Sequence, residues 1–423
     1  MAAIASAWSL PLAAEQLPVP QGRTLVLIFL ASALGALLSR LHARIVLPTV
    51  VVEIVLGILI GPQVLDIAKV YPFVALFANF GLALLFFFAG LEVIEKRVPP
   101  RALRIGTIGW GLSLAIGLAV GWFLQRLGLD ATWWLLGIAL CTTALGTLVP
   151  ILSDSGVLAT PLGSAILGTG VAGEFWPIIF ISVFLTSVYG KAQEVLLLLV
   201  FGVVVAGAAR LALRARPPRV MRVLQETIHT TGQTAVRVSL FLLAWFVYLA
   251  ARSGFEFILG AFAAGLVVGL VLDSPEGRVV RLKLEGIGFG FLIPIYFVVT
   301  GMNFDLDSLL SAKGLALAAL FLALLLVVRG TSAVLWLREL GPRRSLALAF
   351  CGATALPLIV AIVGIGEERG DISDAVGASL IGAGMISVLV YPLLATRLAG
   401  ETGEPQETAA LGEVVSAGEV AEY

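Results

Sequence analysis

The sequence predicts an all-α integral membrane protein of about thirteen transmembrane helices, arranged as two inverted six-helix repeats with crossed broken helices. Three observations carry this prediction: the composition, a series of long apolar segments, and short sequence words that recur in the same order. Of the 423 residues, 59% are hydrophobic and only 13% are charged, whereas a soluble domain carries about 25% charged residues. A chain of this composition must use lipid as its solvent.

Charge and cysteine usage exclude several classes of protein. The formal net charge is +0, so no basic surface suggests nucleic acid as a partner. Cys141 and Cys351 lie in apolar segments, which argues against a disulfide framework. We expect no cofactor and no resident metal, because neither a cluster of metal ligands nor a glycine-rich dinucleotide fingerprint stands out.

Apolar segments long enough to cross about 30 Å of hydrocarbon mark the predicted spans. They lie near residues 24–41, 47–65, 71–94, 104–124, 132–152, 161–188, 193–213, 235–252, 256–272, 286–302, 314–337, 345–366 and 374–398. Residues 1–22 are expected to form a short extracytoplasmic tail, 23–399 one transmembrane domain, and 400–423 an acidic, disordered cytoplasmic tail.

The basic residues test the number of spans, because Lys and Arg collect in cytoplasmic loops. Alternate loops are rich in arginine, as at Arg214, Arg216 and Arg219, whereas the loops between them hold isolated basic residues such as Lys191. This alternation places the N-terminus outside and the C-terminus in the cytoplasm.

Recurring sequence words point to an internal repeat. TTALGTLVP and ATALPLIVA place Thr143 and Thr354 211 residues apart, and FFFAG and FVVTG end at Gly90 and Gly301, again 211 residues apart. A third match, EIVLG with EFILG, has a separation of 203 residues. Two halves separated by an odd number of spans must have opposite orientations, and inverted repeats with paired broken helices mark secondary transporters. The predicted halves are 24–188 and 235–398, with 193–213 as the linker helix.

Glu174 is the acidic residue that the sequence places deepest in the membrane. It lies 13 residues after Pro161, or about 20 Å along a helix. A charge at such depth costs about 2.5–3.5 kcal/mol on insertion scales, so these residues are rare and usually functional. Gly173 lets another backbone approach, and Pro177 frees a carbonyl upstream. We predict that a proton and a monovalent cation compete for Glu174, the alternative being a structural ion pair.

Arg329 is the basic residue predicted deepest inside a span. A buried guanidinium calls for a carboxylate partner, and Glu174 and Glu53 are the candidates, with Glu256 less favoured at the start of its helix. The alternative is that Arg329 snorkels to an interface. Glu53 is expected to support the structure through an ion pair.

The two matched segments in the fifth and twelfth spans hold residues that suit an unbroken helix poorly. Broken backbone at membrane depth is tolerated where it lines a cavity or is buried in protein. If the two breaks cross, helix ends of both signs meet near Glu174, and carbonyl and Thr oxygens become cation ligands; the alternative is a simple kink in each helix. The residues concerned are Thr142, Thr143, Gly146 and Pro150 in one segment and Gly352, Thr354 and Pro357 in the other.

Five segments together resemble the monovalent cation/proton antiporter superfamily, in particular its Kef-like and Nap-like bacterial branch without a C-terminal nucleotide-binding domain. They are LPTVVVEIVLGILIGPQVL, FGLALLFFFAGLEV, TTALGTLVPILSDSGVL, LGAFAAGLVVG and IPIYFVVTGMNFDL. The resemblance covers about residues 24–398.

The resemblance implies a homodimer in a bacterial inner membrane, in which a core domain with crossed broken helices moves against a dimerisation domain. It places Gly173 and Glu174 at the family's acidic pair, Arg329 at a basic position and Glu53 at a common glutamate. Gly173 departs from the acidic pattern, and Glu174 replaces the usual Asp. One titratable group at the site suggests electroneutral exchange of one proton for one cation.

The sequence therefore predicts a secondary transporter that exchanges Na⁺ or K⁺ for protons by alternating access, and not an enzyme. The alternatives are a membrane-embedded enzyme and a channel or non-transporting sensor on a transporter scaffold.

Overall fold

A computed structural model describes residues 19–39, 48–95, 98–154, 156–185, 202–208, 210, 232–272 and 275–399. Over these residues the regular structure is helical, apart from one bridge pair between Ala131 and Ile372. Eight helical stretches of the described chain are long and apolar enough to cross a membrane. The predicted class, an all-α integral membrane protein with multiple spans, is confirmed.

The helices of the first half extend through the region of the predicted first repeat. They are α1 Val19–Leu38, α2 Thr49–Ile60, α3 Pro72–Glu95, α4 Pro100–Arg126, α5 Trp133–Ala139, α6 Leu145–Asp154 and α7 Pro161–Leu185. The predicted linker span 193–213 lies largely outside the described residues, so the count of thirteen spans stays a prediction.

The helices of the second half include one π-helical and one 3₁₀ segment. They are α8 Thr234–Arg252, α9 Phe257–Leu272, α10 Pro275–Ile287, a π-helix Gly288–Leu292, α11 Ile293–Met302, α12 Leu306–Leu310, α13 Ala312–Gly330, a 3₁₀ helix Thr331–Trp336, α14 Leu337–Ala353, α15 Pro357–Arg369 and α16 Asp374–Ala399.

The predicted span 286–302 begins too late. The helix starts at Pro275 and continues through the π-helical turn into α11. Charged residues such as Arg278, Arg281 and Lys283 end the apolar segment without ending the helix, because these side chains are good helix formers. Hydropathy therefore located the apolar part of this helix and missed its charged N-terminal extension.

Both predicted helix interruptions are present. The first separates α5, which ends at Ala139, from α6, which begins at Leu145; the second separates α14, which ends at Ala353, from α15, which begins at Pro357. Pro357 occupies the first helical position, where its missing N–H is no loss. Pro150, by contrast, lies inside α6, so the first break precedes it by several residues.

Two close helix contacts relate the halves of the chain. A Cβ atom on Gly90 of α3 would overlap the carbonyl oxygen of Phe262 in α9, and one on Gly301 of α11 would overlap that of Ile54 in α2. The two glycines are 211 residues apart, as the sequence match requires, but the two carbonyls are 208 residues apart. In these contacts α2 and α9 therefore correspond at a separation of 208 residues, and not at the 203 residues read from EIVLG and EFILG. The inverted repeat itself stays a prediction.

Candidate functional site

The first break, residues 140–144 between α5 and α6, is hydrogen-bonded to the middle of α7. The Thr143 N–H donates to the Gly173 carbonyl oxygen at 3.1 Å. This carbonyl is available because Pro177, four residues later, has no N–H to donate to it. A Cβ on Gly173 would lie 2.5 Å from Thr143 Oγ1 and 2.6 Å from Arg329 Nη2. Gly173 therefore lies against the side chains of Thr143 and Arg329, and its carbonyl, which Pro177 leaves without a helical donor, accepts from the break.

The two breaks also contact each other. The Ala144 N–H donates to the Thr354 carbonyl oxygen at 2.8 Å, and the Thr143 hydroxyl donates to the Gly352 carbonyl oxygen at 2.6 Å. Thr143 and Thr354 are 1% and 0% exposed. Each interrupted helix thus satisfies polar backbone groups of the other, as buried backbone requires.

The Glu174 carboxylate lies at the N-terminus of α6, directly after the first break. Its Oε1 accepts from the Leu145 N–H at 2.6 Å and from the Gly146 N–H at 3.4 Å. These are two of the donors that an α-helix leaves unsatisfied at its first turn, and the helix dipole adds a favourable interaction with negative charge there.

Arg329, at the end of α13, is fully buried. Its Nε and Nη2 donate to Thr143 Oγ1 at 3.0 and 2.8 Å, and its Nη2 donates to the Thr169 carbonyl at 3.0 Å. Longer bonds reach the Gly352 carbonyl at 3.3 Å and Ser113 Oγ at 3.4 Å.

The expected carboxylate partner of Arg329 is thus not among its hydrogen-bond acceptors in the described part of the chain. Hydroxyl and backbone oxygens take that place, and Gly352 belongs to the last turn of α14, where carbonyls carry partial negative charge. The guanidinium therefore meets the C-terminal end of one broken helix, while Glu174 meets the N-terminal end of the other. Snorkelling does not describe Arg329, because its side chain is buried.

A cavity of about 640 Å³ opens between α2, α3, α6, α7, α11 and α15. Its lining includes the carboxylates of Glu53, Glu92 and Glu174 together with Thr143 and Thr147. Glu53, on α2, is only 3% exposed. Glu174 therefore combines a fixed position at a helix end with access to a space large enough for hydrated cations.

The remaining predicted site residues lie at or beside the breaks. The Thr142 hydroxyl donates to Ala139 O at 2.8 Å and the Thr354 hydroxyl to Phe350 O at 3.0 Å, so both turn back into their own helices. Gly146 and Pro357 line the cavity.

Three residues at the site were missed by the sequence reasoning. Glu92 lies in the segment FGLALLFFFAGLEV and was not singled out, although it lines the cavity. Ser113 lies in α4 and had no signal beyond being polar. Ser387 of α16 donates to the Ala355 carbonyl and accepts from the Ala355 N–H, both at 3.1 Å, which secures the second break; its mid-span position was the only available clue.

The fold and the site together define the class: a multi-pass membrane protein whose paired broken helices surround a carboxylate, the arrangement found in secondary transporters. The family model described as the transmembrane sodium/hydrogen exchanger matches residues 26–399. The chain belongs to this family, and the predicted resemblance is confirmed.

Individual relatives agree with this membership. The chain is 27% identical over 406 residues to the putative Na(+)/H(+) antiporter YjbQ of Bacillus subtilis strain 168, covering 91% of this chain and 64% of the relative. It therefore spans just under two thirds of that relative's length. It is 28% identical over 297 residues to the Na(+)/H(+)-K(+) antiporter GerN of Bacillus cereus, covering 67% of this chain and 72% of GerN.

A solved structure shares the fold. The sodium proton antiporter MjNhaP1 of Methanocaldococcus jannaschii, solved at pH 8, superposes with a TM-score of 0.62 at 18% identity, covering 89% of this chain and 99% of MjNhaP1.

Proposed function

We propose that this protein exchanges Na⁺ or K⁺ for protons across the membrane by alternating access, with Glu174 as the shared site. The observation that carries the proposal is the position of Glu174: one carboxylate oxygen is held by the α6 N-terminus and the residue lines the cavity. Family membership and the names of the relatives support the same activity.

In this mechanism the Glu174 carboxylate binds a cation from one side and releases it on the other in exchange for a proton. The carboxylate is never bare while it crosses, which avoids moving a charge through hydrocarbon. Water from the cavity and oxygen atoms at the breaks are proposed to complete the cation shell, whereas the Thr143 hydroxyl is already engaged by Gly352 and Arg329. Gly173 contributes by letting these segments approach.

The test is proton flux in proteoliposomes that contain a trapped pH-sensitive dye. Addition of Na⁺, K⁺ or Li⁺ should cause a rapid internal pH change with the wild type and none with Glu174→Gln. The glutamine keeps the acceptor for the Leu145 N–H, so the variant should unfold thermally near the wild-type temperature.

The matched control is Glu339→Gln, which alters a carboxylate in the first turn of α14, outside the cavity. It should transport like the wild type. Exchange by folded Glu174→Gln would overturn the assignment of Glu174, and lack of response of the wild type to all three cations would overturn the antiporter proposal.

We further propose electroneutral exchange, since one carboxylate at the breaks carries either one proton or one cation. An imposed membrane potential at fixed ion gradients should leave the rate unchanged. Clear stimulation by the potential would contradict a one-for-one stoichiometry.

The proposed setting is a bacterial inner membrane, with the N-terminus outside, the C-terminus in the cytoplasm and the chain in a homodimer. The orientation rests on the alternation of basic loops. Cysteine labelling from each side of sealed vesicles tests it, and the molecular mass in detergent tests the dimer.

A further inference from the structure

Trp110 of α4 is a buried tryptophan that contacts the first break and has no part in the mechanism above. Its side chain is 3% exposed, and its indole Nε1–H donates to the Cys141 carbonyl oxygen at 3.2 Å. The same stretch of α4 binds the Cys141 thiol, which donates to the Ser113 carbonyl oxygen at 3.2 Å. Cys141 is therefore held by α4 through both its backbone and its side chain.

The Cys141 carbonyl is the acceptor that the break leaves without its helical donor. In an uninterrupted α-helix it would accept from the N–H of the residue four positions later, which is Leu145. In this protein the Leu145 N–H donates to Glu174 Oε1 at 2.6 Å instead. The two halves of one helical hydrogen bond are thus separated, because Trp110 binds the acceptor and Glu174 binds the donor.

The burial of Cys141 gives this separation its consequence. Cys141 is 0% exposed, and a buried backbone acceptor without a donor is unfavourable. Without the indole N–H, the ordinary helical donor for this carbonyl is the Leu145 N–H. A bond between the two would withdraw that N–H from Glu174.

The Trp110 ring is fixed by aromatic contacts with α7, the helix that carries Glu174. It stacks on Trp176, with ring centroids 6.0 Å apart and an angle of 25° between the rings. Its centroid also lies 5.1 Å from that of Phe180, in an edge-to-face contact. Such pairs add to the stabilisation that burial gives. The indole is therefore held between the helix of the carboxylate and the break.

A second buried indole shows that burial alone does not require the hydrogen bond of Trp110. Trp336 is 5% exposed, and its Nε1 has no hydrogen-bond partner among the residues that the structure describes. This fold thus accommodates one indole N–H by packing alone, whereas that of Trp110 is matched to a carbonyl of the break.

We propose that Trp110 is a positioning residue of the cation site: its indole N–H occupies the Cys141 carbonyl and thereby reserves the Leu145 N–H for the Glu174 carboxylate. Trp110 acts through the break and not on the cation itself. The inference rests on the proposed function for its effect on transport, but the exchange of hydrogen-bond partners can be measured without transport.

The first experiment compares thermal midpoints of single and double variants in detergent. Trp110→Phe removes the indole N–H and keeps an aromatic ring, and Glu174→Ala removes the acceptor of the Leu145 N–H. In the double variant the Cys141 carbonyl and the Leu145 N–H have both lost their partners and can bond to each other. Its midpoint should therefore lie about 1–4 °C above the value obtained by adding the two single losses, because coupled groups deviate from additivity by this order.

Two controls identify the cause of this deviation. Glu174→Gln keeps an acceptor for the Leu145 N–H, so its loss should add to that of Trp110→Phe. Trp336→Phe removes an indole N–H that has no partner in the described part of the chain, so its loss should add to that of Glu174→Ala. Where Trp110→Phe does not fold, Trp110 is replaced with 3-benzothienylalanine, which keeps both rings and exchanges only the N–H for sulfur.

The second experiment measures proton flux against cation concentration in proteoliposomes. Trp110→Phe should raise the apparent KM for the cation about tenfold, the factor that corresponds to one of the weaker hydrogen bonds to a charged group, because the carboxylate is no longer fixed before the cation arrives. The maximal rate should stay within about twofold of the wild type, since the bonds of Thr143 and Ala144 remain. Trp336→Phe should keep the wild-type KM.

Additive losses for Trp110→Phe and Glu174→Ala would overturn the inference, because Trp110 would then be a packing residue only. An unchanged KM in the folded Trp110 variant would overturn it as well. Absence of flux in the wild type would instead reject the proposed function, and the comparison of midpoints would still decide whether Trp110 controls the partner of the Leu145 N–H.

Discussion

Replacing Gly173 with alanine tests the contact between α7 and the first break. The new Cβ would lie 2.5 Å from Thr143 Oγ1 and 2.6 Å from Arg329 Nη2, whereas ordinary contacts of carbon atoms are about 3.5–4.0 Å. The neighbours must therefore withdraw by about 1 Å, the difference between these distances. Both atoms belong to one hydrogen-bonded pair, at 2.8 Å, and both side chains are buried.

The magnitude follows from two contributions. Overpacking a core by one methyl group costs about 1–3 kcal/mol, and weakening a hydrogen bond to a charged group costs about 1.5–3 kcal/mol. Gly173→Ala should therefore lower the free energy of unfolding by about 2.5–6 kcal/mol, summing the two ranges. In a chain of this length the thermal midpoint should fall by about 3–8 °C, given the small shift per kcal/mol that long chains show.

The assay is thermal unfolding of the purified protein in detergent, followed by the vesicle flux measurement. Gly364→Ala in α15 is the matched control, because a Cβ there meets nothing within 4 Å, and its midpoint should equal the wild-type value or exceed it. Gly173→Ala should also transport more slowly, since the displaced Arg329 and Thr143 hold the break. A midpoint equal to that of Gly364→Ala would refute the close contact at Gly173.

Two further predictions concern single polar groups. Thr143→Val removes the hydroxyl that accepts two N–H groups of Arg329. It should lower the free energy of unfolding by about 1.5–3 kcal/mol and reduce flux, whereas Thr143→Ser should keep both near the wild-type values. Equal thermal midpoints for the two variants would contradict this. Burial would raise the pKa of Asp305, but hydrogen bonds from Ser308 and Gln63 outweigh it and hold the pKa below its usual value. The stability from this depressed pKa is present above about pH 3.9, the unfolded value, and is lost as the pH falls through the folded value. On acidification the thermal midpoint of Asp305→Asn should therefore fall less than that of the wild type. If the midpoints of both proteins fall equally with pH, Asp305 makes no such contribution to stability.

The sequence predicted those parts of the site that depend on side-chain type. Pro177 necessarily frees the carbonyl four residues before it, and Gly173 is the residue that permits close approach. Pro357 likewise marks the beginning of α15. These rules are local and need no knowledge of the tertiary structure.

The partner of Arg329 could not be predicted in the same way. Its acceptors include the carbonyls of Thr169 and Gly352, and every residue has a carbonyl. Only the fold decides which carbonyls are left without a helical donor and turned toward the guanidinium. Charge alone favours a carboxylate as the partner of a buried guanidinium, but the carbonyls at a helix end also carry partial negative charge and take its place here.

The predicted correspondence between α2 and α9, at a separation of 203 residues, was wrong for a related reason. EIVLG and EFILG share apolar letters and a glutamate, and such short words occur readily in a chain rich in Val, Leu and Gly. The contacts relate Ile54 to Phe262 through glycines on α3 and α11. The positions at which membrane helices pack are set by small residues where the helices touch. Here those residues include Gly90 on α3 and Gly301 on α11, which the comparison of α2 with α9 does not contain.

The hydrogen bonds of the first break also bear on the order in which the protein assembles. Residues 140–144 are held by Gly173 on α7, by Gly352 on α14 and by Thr354 in the second break. Two of these partners lie about 210 residues further along the chain. During synthesis from the N-terminus, the break has no acceptor for its Thr143 hydroxyl or its Ala144 N–H until the twelfth predicted span has been inserted. We therefore expect the cation site to be among the last features to form, and a chain truncated before that span should insert its early helices yet leave the segment around Thr143 accessible to water.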